Sequence, residues 1–522
     1  MKSQPTTNLD ESLARIARGT GLVFAGTLAG MAFAFFGKNT GVARIGTDTE
    51  YGVFSVAFVL LNIFAIIGTL GLQAGVARSI AHARGKGDIE KVHKIIPATI
   101  LLMLLGSTSM AFIAFFTSDI IATRIFHEVS YAYPLKVMAF AIPVLSIVLV
   151  LTSTFRGFDN IRPRIYFHEL MMNMLFCLFL APLLFVDVSF NWVFYLLLAS
   201  LAITSIAIIG YTIKYLPSRP KLTLGIITHP VTRELFLFSL PLLSVAMLQL
   251  IIAWIDILML EGLRDSSEVG AYNTAHPLAM FISIPLFAML QIYMPITAGL
   301  WGKGDLPQIR KNFSVLTKWL CSVTLPLFLI LFLFPEPIIN TLFGPGYSEA
   351  GNALRILSLG YIINNYLGPN GDTLTAMGRV RFLMWAALAT ALLNIALNAA
   401  LIPPLGINGA AIASVVSITS INAMRCVKLY NISRIQPFSK NLVKSTVACL
   451  ALCIGAYFVY ENFVPFNWWL LPPLLVLFYG ISLITTTITK SFDPEDTIIL
   501  LVIEQRTGKD MGMLKRLIQK SL

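Results

Sequence analysis

The sequence predicts an all-α polytopic membrane protein of about fourteen transmembrane helices, built as two parallel six-helix repeats around a central cleft with two extra C-terminal helices. Three observations predict it. The 522-residue chain is 57% hydrophobic and 12% charged, with a mean hydropathy of +0.78, where soluble domains carry about 25% charged residues. About fourteen apolar stretches approach the ~20 residues a helix needs to cross a bilayer. Residues 50–60, EYGVFSVAFVL, return without a gap as residues 268–278, EVGAYNTAHPL.

Two further echoes keep the same order. Gly85-Lys86-Gly87-Asp88-Ile89 answers Gly302-Lys303-Gly304-Asp305-Leu306, and Thr152-x-Thr154-x-x-Gly157 answers Thr373-x-Thr375-x-x-Gly378. Each lies about 220 residues from its partner, so the unit repeated is a block of helices. An even number of crossings per block gives both copies the same orientation.

The apolar stretches run over 19–37, 52–77, 95–116, 137–155, 166–187, 192–213, 235–260, 270–298, 315–334, 352–377, 382–403, 407–427, 443–461 and 468–488. The second and eighth are longer than a bilayer is thick and are expected to project from it or tilt. In domain terms, 1–18 is an N-terminal tail, 19–213 and 235–428 the two six-helix bundles, 214–234 a basic tether, and 429–489 helices thirteen and fourteen. Residues 490–522 form an amphipathic tail that opens with an Asp493-Pro494 helix start.

The net charge of +12 does not indicate a nucleic-acid partner. With the N-terminus inside, the inner loops and tails hold all but six of the 38 Lys and Arg, the exceptions being Lys38, Arg44, Arg124, Lys136, Arg264 and Arg355. That bias is the positive-inside rule and places both termini in the cytoplasm. The acids in residues 1–18 and the lack of a cleavage-type site make the first apolar stretch a retained helix. The five cysteines all fall in apolar stretches, so no external disulfide framework is expected.

No GxxxxGK[ST] motif occurs, hence no nucleotide partner; no metal or other cofactor is expected. His168-Glu169 lacks the second histidine of HExxH. Asp48 and Glu50 in the first external loop leave a polytopic glycosyltransferase as the enzyme alternative, against which stand a short loop and the place of Glu50 in the repeated frame. The main expectation is that the protein is not an enzyme. Gly26 and Gly30 form a GxxxG that lets helix one approach a neighbour closely.

ARIGTDTEYGVFSVA (43–57) resembles the signature of oligosaccharide flippases. GLQAGVAR with GKGD (71–88), FSLPLLSVAMLQLIIAWIDILMLEGLRDSSEVGAYNTAHPLA (238–279), LFGPGYSEAGNALRILSLG (342–360), GPNGDTLTAMGR (368–379) and NIALNAALIPPLGINGAAIAS (394–414) are similar to later blocks of that family. The resemblance covers about residues 15 to 490 and points to the polysaccharide-transport branch of the superfamily that also holds multidrug extruders and lipid II flippases; the FDPED tail is similar to archaeal members. It implies movement of a lipid-linked oligosaccharide on polyprenyl phosphate or diphosphate from the cytoplasmic to the outer leaflet by alternating access. Membrane lipids, and with them glycan-assembly enzymes, are the expected partners. Thr47 stands where the family usually has proline, which is expected to loosen a turn. A multidrug/cation antiporter of the same superfamily is the alternative.

Candidate residues follow from that task. Arg18, Arg78 and Arg156 near the cytoplasmic ends suit phosphate, which arginine binds bidentately; each also reads as a positive-inside anchor. Asn62, Gln73, Gln249, Asn273, His276 and Gln291 are intramembrane polar groups for sugar contacts, His276 being equally readable as a packing histidine. The repeat offset sets Lys38 opposite Asp256, an outer gate or two separate interfacial charges. Asp372 either couples a proton or cation or caps a helix break at Gly368-Pro369.

Overall fold

The computed structural model describes residues 26–186, 188–216, 224–226, 229–438, 440–463, 468–489 and 491; all regular structure among them is helical. Arg18 and the tails 1–18 and 492–522 lie outside the described residues. The helices are α1 (26–45), α2 (Asp48–Gly68), α3 (Leu72–Gly85), α4 (Ile89–Ile120), α5 (Ala132–Arg156), α6 (Arg164–Leu184), α7 (Trp192–Tyr215), α8 (Pro230–Leu263), α9 (Ser266–Met280), α10 (Ile284–Gly302), α11 (Leu306–Leu333), α12 (Pro335–Leu342), α13 (Ala350–Tyr366), α14 (Asn370–Ala376), α15 (Val380–Leu405), α16 (Ile407–Ser433), α17 (Lys440–Phe463) and α18 (Leu471–Ile488).

Among the described residues eleven helical segments are long and apolar enough to span a membrane, α2 and α3 together forming one of them, and the three remaining stretches have physical reasons to fall short. The first is described only from residue 26. The eighth divides into α9 and α10 at a 3-10 turn, Phe281–Ser283, followed by Pro285. The tenth divides into α13 and α14 at Leu367-Gly368-Pro369, where Gly368 has φ +70°. The overlong second stretch is likewise two helices, α2 and α3, parted where Leu70 and Gly71 take positive φ. Both overlong stretches are thus interrupted by a break. Upstream, α8 starts at Pro230, inside the expected tether. Proline suits a first helical position, and the His229 side chain accepts the Val231 N–H at 3.2 Å.

The chain forms two compact units, the described parts of which are 26–273 and 274–491; the division falls within α9. In the first, α3, α4, α5 and α8 enclose a core of Leu72, Val76, Val92, Ile96, Phe155 and Leu235. In the second, α10, α11, α14 and α16 enclose Tyr293, Ile309, Phe313, Leu374 and Leu429. Val76, Val92 and Ile96 correspond to Tyr293, Ile309 and Phe313 at the offset that relates Gly87 to Gly304. Burial therefore repeats with the sequence. Within the first unit α1 lies close to α6: a side chain at Gly30 would collide with the backbone of Glu169, and one at Gly26 with Ile165. The GxxxG is used for close approach.

The repeated motifs fold alike. Gly87 and Gly304 have φ +72° and +73°, a region glycine enters without steric cost. Asp88 and Asp305 then cap α4 and α11, accepting the N–H of Lys91 at 2.9 Å and of Gln308 at 3.1 Å. Thr47 and Asp265 cap α2 and α9 through the N–H groups of Glu50 (3.2 Å) and Glu268 (2.9 Å). Glu50 returns the bond by accepting Thr47 N–H at 2.9 Å, completing a capping box. Against the expectation of a loosened turn, Thr47 closes it in a capping box, which proline, lacking an N–H, could not complete.

The two copies of the Glu-x-Gly frame also meet inside the first unit. A side chain at Gly52 would strike the carbonyl of Ser266, and one at Gly270 the carbonyl of Asp48. Asp48 and Ser266 are themselves equivalent positions, so the contact is reciprocal. Ser267 Oγ donates to Asp48 at 2.6 Å, and Tyr51 OH to the Asn273 carbonyl at 3.3 Å. Glycine is kept because the other helix's backbone occupies the space of its missing side chain.

Candidate functional site

The end of the first unit where α3 and α5 finish and α4 and α8 begin is rich in cations. Arg156, in the last turn of α5, donates from Nη2 to the Gln73 carbonyl on α3 at 3.0 Å. Gln73 Nε2 is buried without a hydrogen-bond partner among the described residues. The structure therefore brings together two candidates, Arg156 and Gln73, and leaves a polar group beside them unsatisfied, which costs about 1–3 kcal/mol in a dry site. Arg84 strengthens the α3–α5 join through the Gly157 carbonyl at 3.0 Å and Asp159 at 2.9 Å. Arg78 faces elsewhere. Its guanidinium lies 4.6 Å from the Phe238 ring centre, on a cavity of about 230 Å³ between α3, α4 and α8.

At the opposite end Lys38 lies in a π-helical turn, Phe35–Gly41, a feature often found at functional positions. Its ammonium stands 4.6 Å from the Phe58 ring centre, a cation–π contact. Phe58 in turn packs against Trp254 at 6.1 Å. Asp256, 9% exposed, accepts a hydrogen bond from Tyr272 OH at 3.2 Å. No direct ion pair joins Lys38 to Asp256 among the described residues: the ammonium lies on the Phe58 ring and the carboxylate accepts from Tyr272. Glu169 is an intramembrane acid the sequence reading passed over as a site; Arg164 and His168 approach it at 3.5 and 3.3 Å.

Asn62 spends its amide on the Phe58 carbonyl one turn back, at 2.8 Å. Gln249 is exposed on α8. Asn273 contributes its carbonyl to the helix crossing. The side chain of Gln291 lies outside those described. In the second unit His276 Nε2 pairs with Tyr361 OH at 3.2 Å.

The break between α13 and α14 carries that unit's main polar group. Asn365 donates to the Ile282 carbonyl at 2.8 Å, tying the break to the turn between α9 and α10. Asn422 on α16 reaches Asn364 at 2.8 Å. Asp372 lies in the first turn of α14, where the helix dipole favours an acid, but α14 has no side-chain cap. Its charged neighbour is Arg425 of α16, whose guanidinium covers Gly371 and whose Nε is buried without a partner among the described residues. Arg425, like Glu169, is a residue the sequence reading missed. It sits near the end of the stretch 407–427, where an arginine reads as an anchor.

Asp48 and Glu50, the acids behind the enzyme alternative, are occupied in helix capping and in the helix crossing.

Comparison with known proteins fits this architecture. Residues 16–301, more than half of the chain, match the family described as Polysaccharide biosynthesis protein; residues 241–400 match the MatE family. A probable low-salt glycan biosynthesis flippase, Agl15 of Haloferax volcanii, is 26% identical over 245 residues, 46% of this chain and 51% of that protein. An uncharacterized membrane protein of Methanocaldococcus jannaschii is 28% identical over 218 residues, 41% of this chain and 43% of that protein. The chain thus spans about half the length of these curated relatives. Among solved structures, the lipid II flippase MurJ in an inward closed conformation aligns with a TM-score of 0.66 at 13% identity, covering 90% of this chain and 98% of that one. An inward-facing multidrug resistance MATE transporter aligns at 0.62 and 14% identity, covering 77% and 94%. These two likenesses establish the fold. With the match over residues 16–301, this multi-span membrane protein belongs to the polysaccharide biosynthesis protein family.

Proposed function

We propose that this protein is a flippase that carries a lipid-linked oligosaccharide, on polyprenyl phosphate or diphosphate, from the cytoplasmic to the outer leaflet by alternating access, for assembly of surface polysaccharide or glycoprotein glycans. The observation that carries the reading is family membership across residues 16–301, seconded by the glycan flippase among the relatives. Physical chemistry supplies the need, because an unpaired polar head group costs several kcal/mol per group in hydrocarbon. Arg156 and Gln73, with Arg18 beyond the described residues, take the phosphate end. Asn273 and His276 are the sugar contacts, and Lys38 with Asp256 forms the outer gate. Both termini face the cytoplasm, as the charge bias requires, and no bond is made or broken.

The test is transport by the purified full chain in liposomes. A fluorescent polyprenyl diphosphate oligosaccharide in the inner leaflet should become accessible to an external quencher without ATP. Absence of acceleration over protein-free liposomes with several glycan lengths would overturn the reading. The MatE match supports a second reading, multidrug/cation antiport. Proton-driven uptake of ethidium by the same liposomes, with no movement of the glycolipid, would establish it instead.

A further inference from the structure

We propose that the cavity between α3, α4 and α8 is a binding site for the phosphate of an acidic membrane phospholipid, distinct from the transport path. Its wall carries Arg78, Ser79, His82 and Lys91 against one carboxylate, Glu234. Lys91 is held by both oxygens of Glu234 at 2.8 Å each. Arg78 has no ion-pair partner among the described residues, and its contact with Phe238 lies on the ring face, leaving the guanidinium edges for an anion. With Lys91 neutralised by Glu234, the cavity keeps the charge of Arg78. The volume of about 230 Å³ accommodates a phosphate with several waters at ~30 Å³ each.

The surroundings select a lipid over a free anion. Leu237 and Leu240 on α8, flanking Phe238, are 55% and 43% exposed, and Ile89, at the start of α4, is 66% exposed. A phosphate in the cavity would be continuous with acyl chains lying over these side chains. The cavity also sits at helix ends, the depth at which lipid phosphates lie and at which anionic leaflets attract clustered cations. Lys91–Glu234 joins α4 to α8, so an arriving phosphate competes for the ammonium and changes the strength of that join. Lipid composition thereby acts on the seating of α8.

The chemistry is a lipid-borne phosphate, with two possible sources: a resident phospholipid or the polyprenyl carrier. Native mass spectrometry of the full chain in neutral detergent, titrated with phosphatidylglycerol, phosphatidylcholine or polyprenyl phosphate, separates them. Phosphatidylglycerol should bind and phosphatidylcholine should not. Arg78→Gln should weaken phosphatidylglycerol about fivefold, the effect of one cation near an anionic lipid. Glu234→Gln frees Lys91 and should strengthen it by a similar factor, whereas a merely damaged fold would bind less. Unchanged phosphatidylglycerol binding in both variants overturns the proposal. So does loss of polyprenyl phosphate alone in Arg78→Gln, which would assign the cavity to the transported carrier. The readout needs no transport and stands apart from the flippase test.

Discussion

At the residue scale, Thr47 shows how a departure from a family pattern can be read in the wrong direction. Threonine in place of proline suggested a looser turn, yet its hydroxyl and its N–H both serve the capping box with Glu50. Thr47→Pro should destabilise the protein by about 1 kcal/mol, read as a lower thermal midpoint in detergent. The repeat offset aligns Lys38 with Asp256 in the sequence. Their present contacts were not legible, since sequence spacing does not say that Lys38 meets the Phe58 ring or that Asp256 meets Tyr272. If they form the outer gate, Lys38→Asp and Asp256→Lys should each abolish glycolipid transport while the double exchange partly restores it. A double exchange as inactive as the singles removes the gate. Arg425 escaped notice for a different reason. A cation at the end of an apolar stretch looks alike whether it meets water or an intramembrane acid.

Helices were readable at the level of their existence, and their interruptions were not. Eleven expected spans appear as such, since apolar length is a strong signal. The second, eighth and tenth did not reveal that each is two shorter helices, because a glycine or proline inside an apolar run is compatible with a kink or with a full stop. At the stop before Gly368-Pro369 the Leu367 carbonyl accepts from Asn370 Nδ2 at 3.3 Å and Cys426 Sγ at 3.6 Å, while Asn365 donates to the Ile282 carbonyl. Asn365→Ala should leave the Ile282 carbonyl unpaired and cost about 1–3 kcal/mol. Thermal unfolding checks this, and an unchanged midpoint would mean that the link between the two breaks is dispensable. Locally the copies diverge here too: α5 runs unbroken to Arg156, whereas its counterpart is cut.

For the whole molecule, composition and the internal repeat were sufficient to anticipate a helical membrane protein of two copies, and the likeness to the MurJ and MATE folds agrees. Packing divides the chain inside α9, while homology divides it in the tether before α8; α8 contributes Leu235 to the first unit's core, which no repeat alignment reveals. On the flippase reading, moving a dianionic head outward from a negative interior gains about 2.3 kcal/mol per charge per 100 mV. Transport in liposomes should accelerate when a potassium diffusion potential, inside negative, is imposed on outward movement. A rate indifferent to that potential, with ion gradients held constant, would refute electrogenic export.

A six-helix ancestor carrying the Glu-x-Gly frame would have met its own twin as residues 48–52 now meet 266–270. The reciprocity of Gly52 with Ser266 and of Gly270 with Asp48 is the geometry of an isologous interface, in which one patch recognises itself. Fusion turned that self-recognition into an intramolecular crossing without freeing either copy to drift. A bulkier residue in one frame is punished by the backbone of the other, so the duplication is preserved best where the two halves once had to find each other.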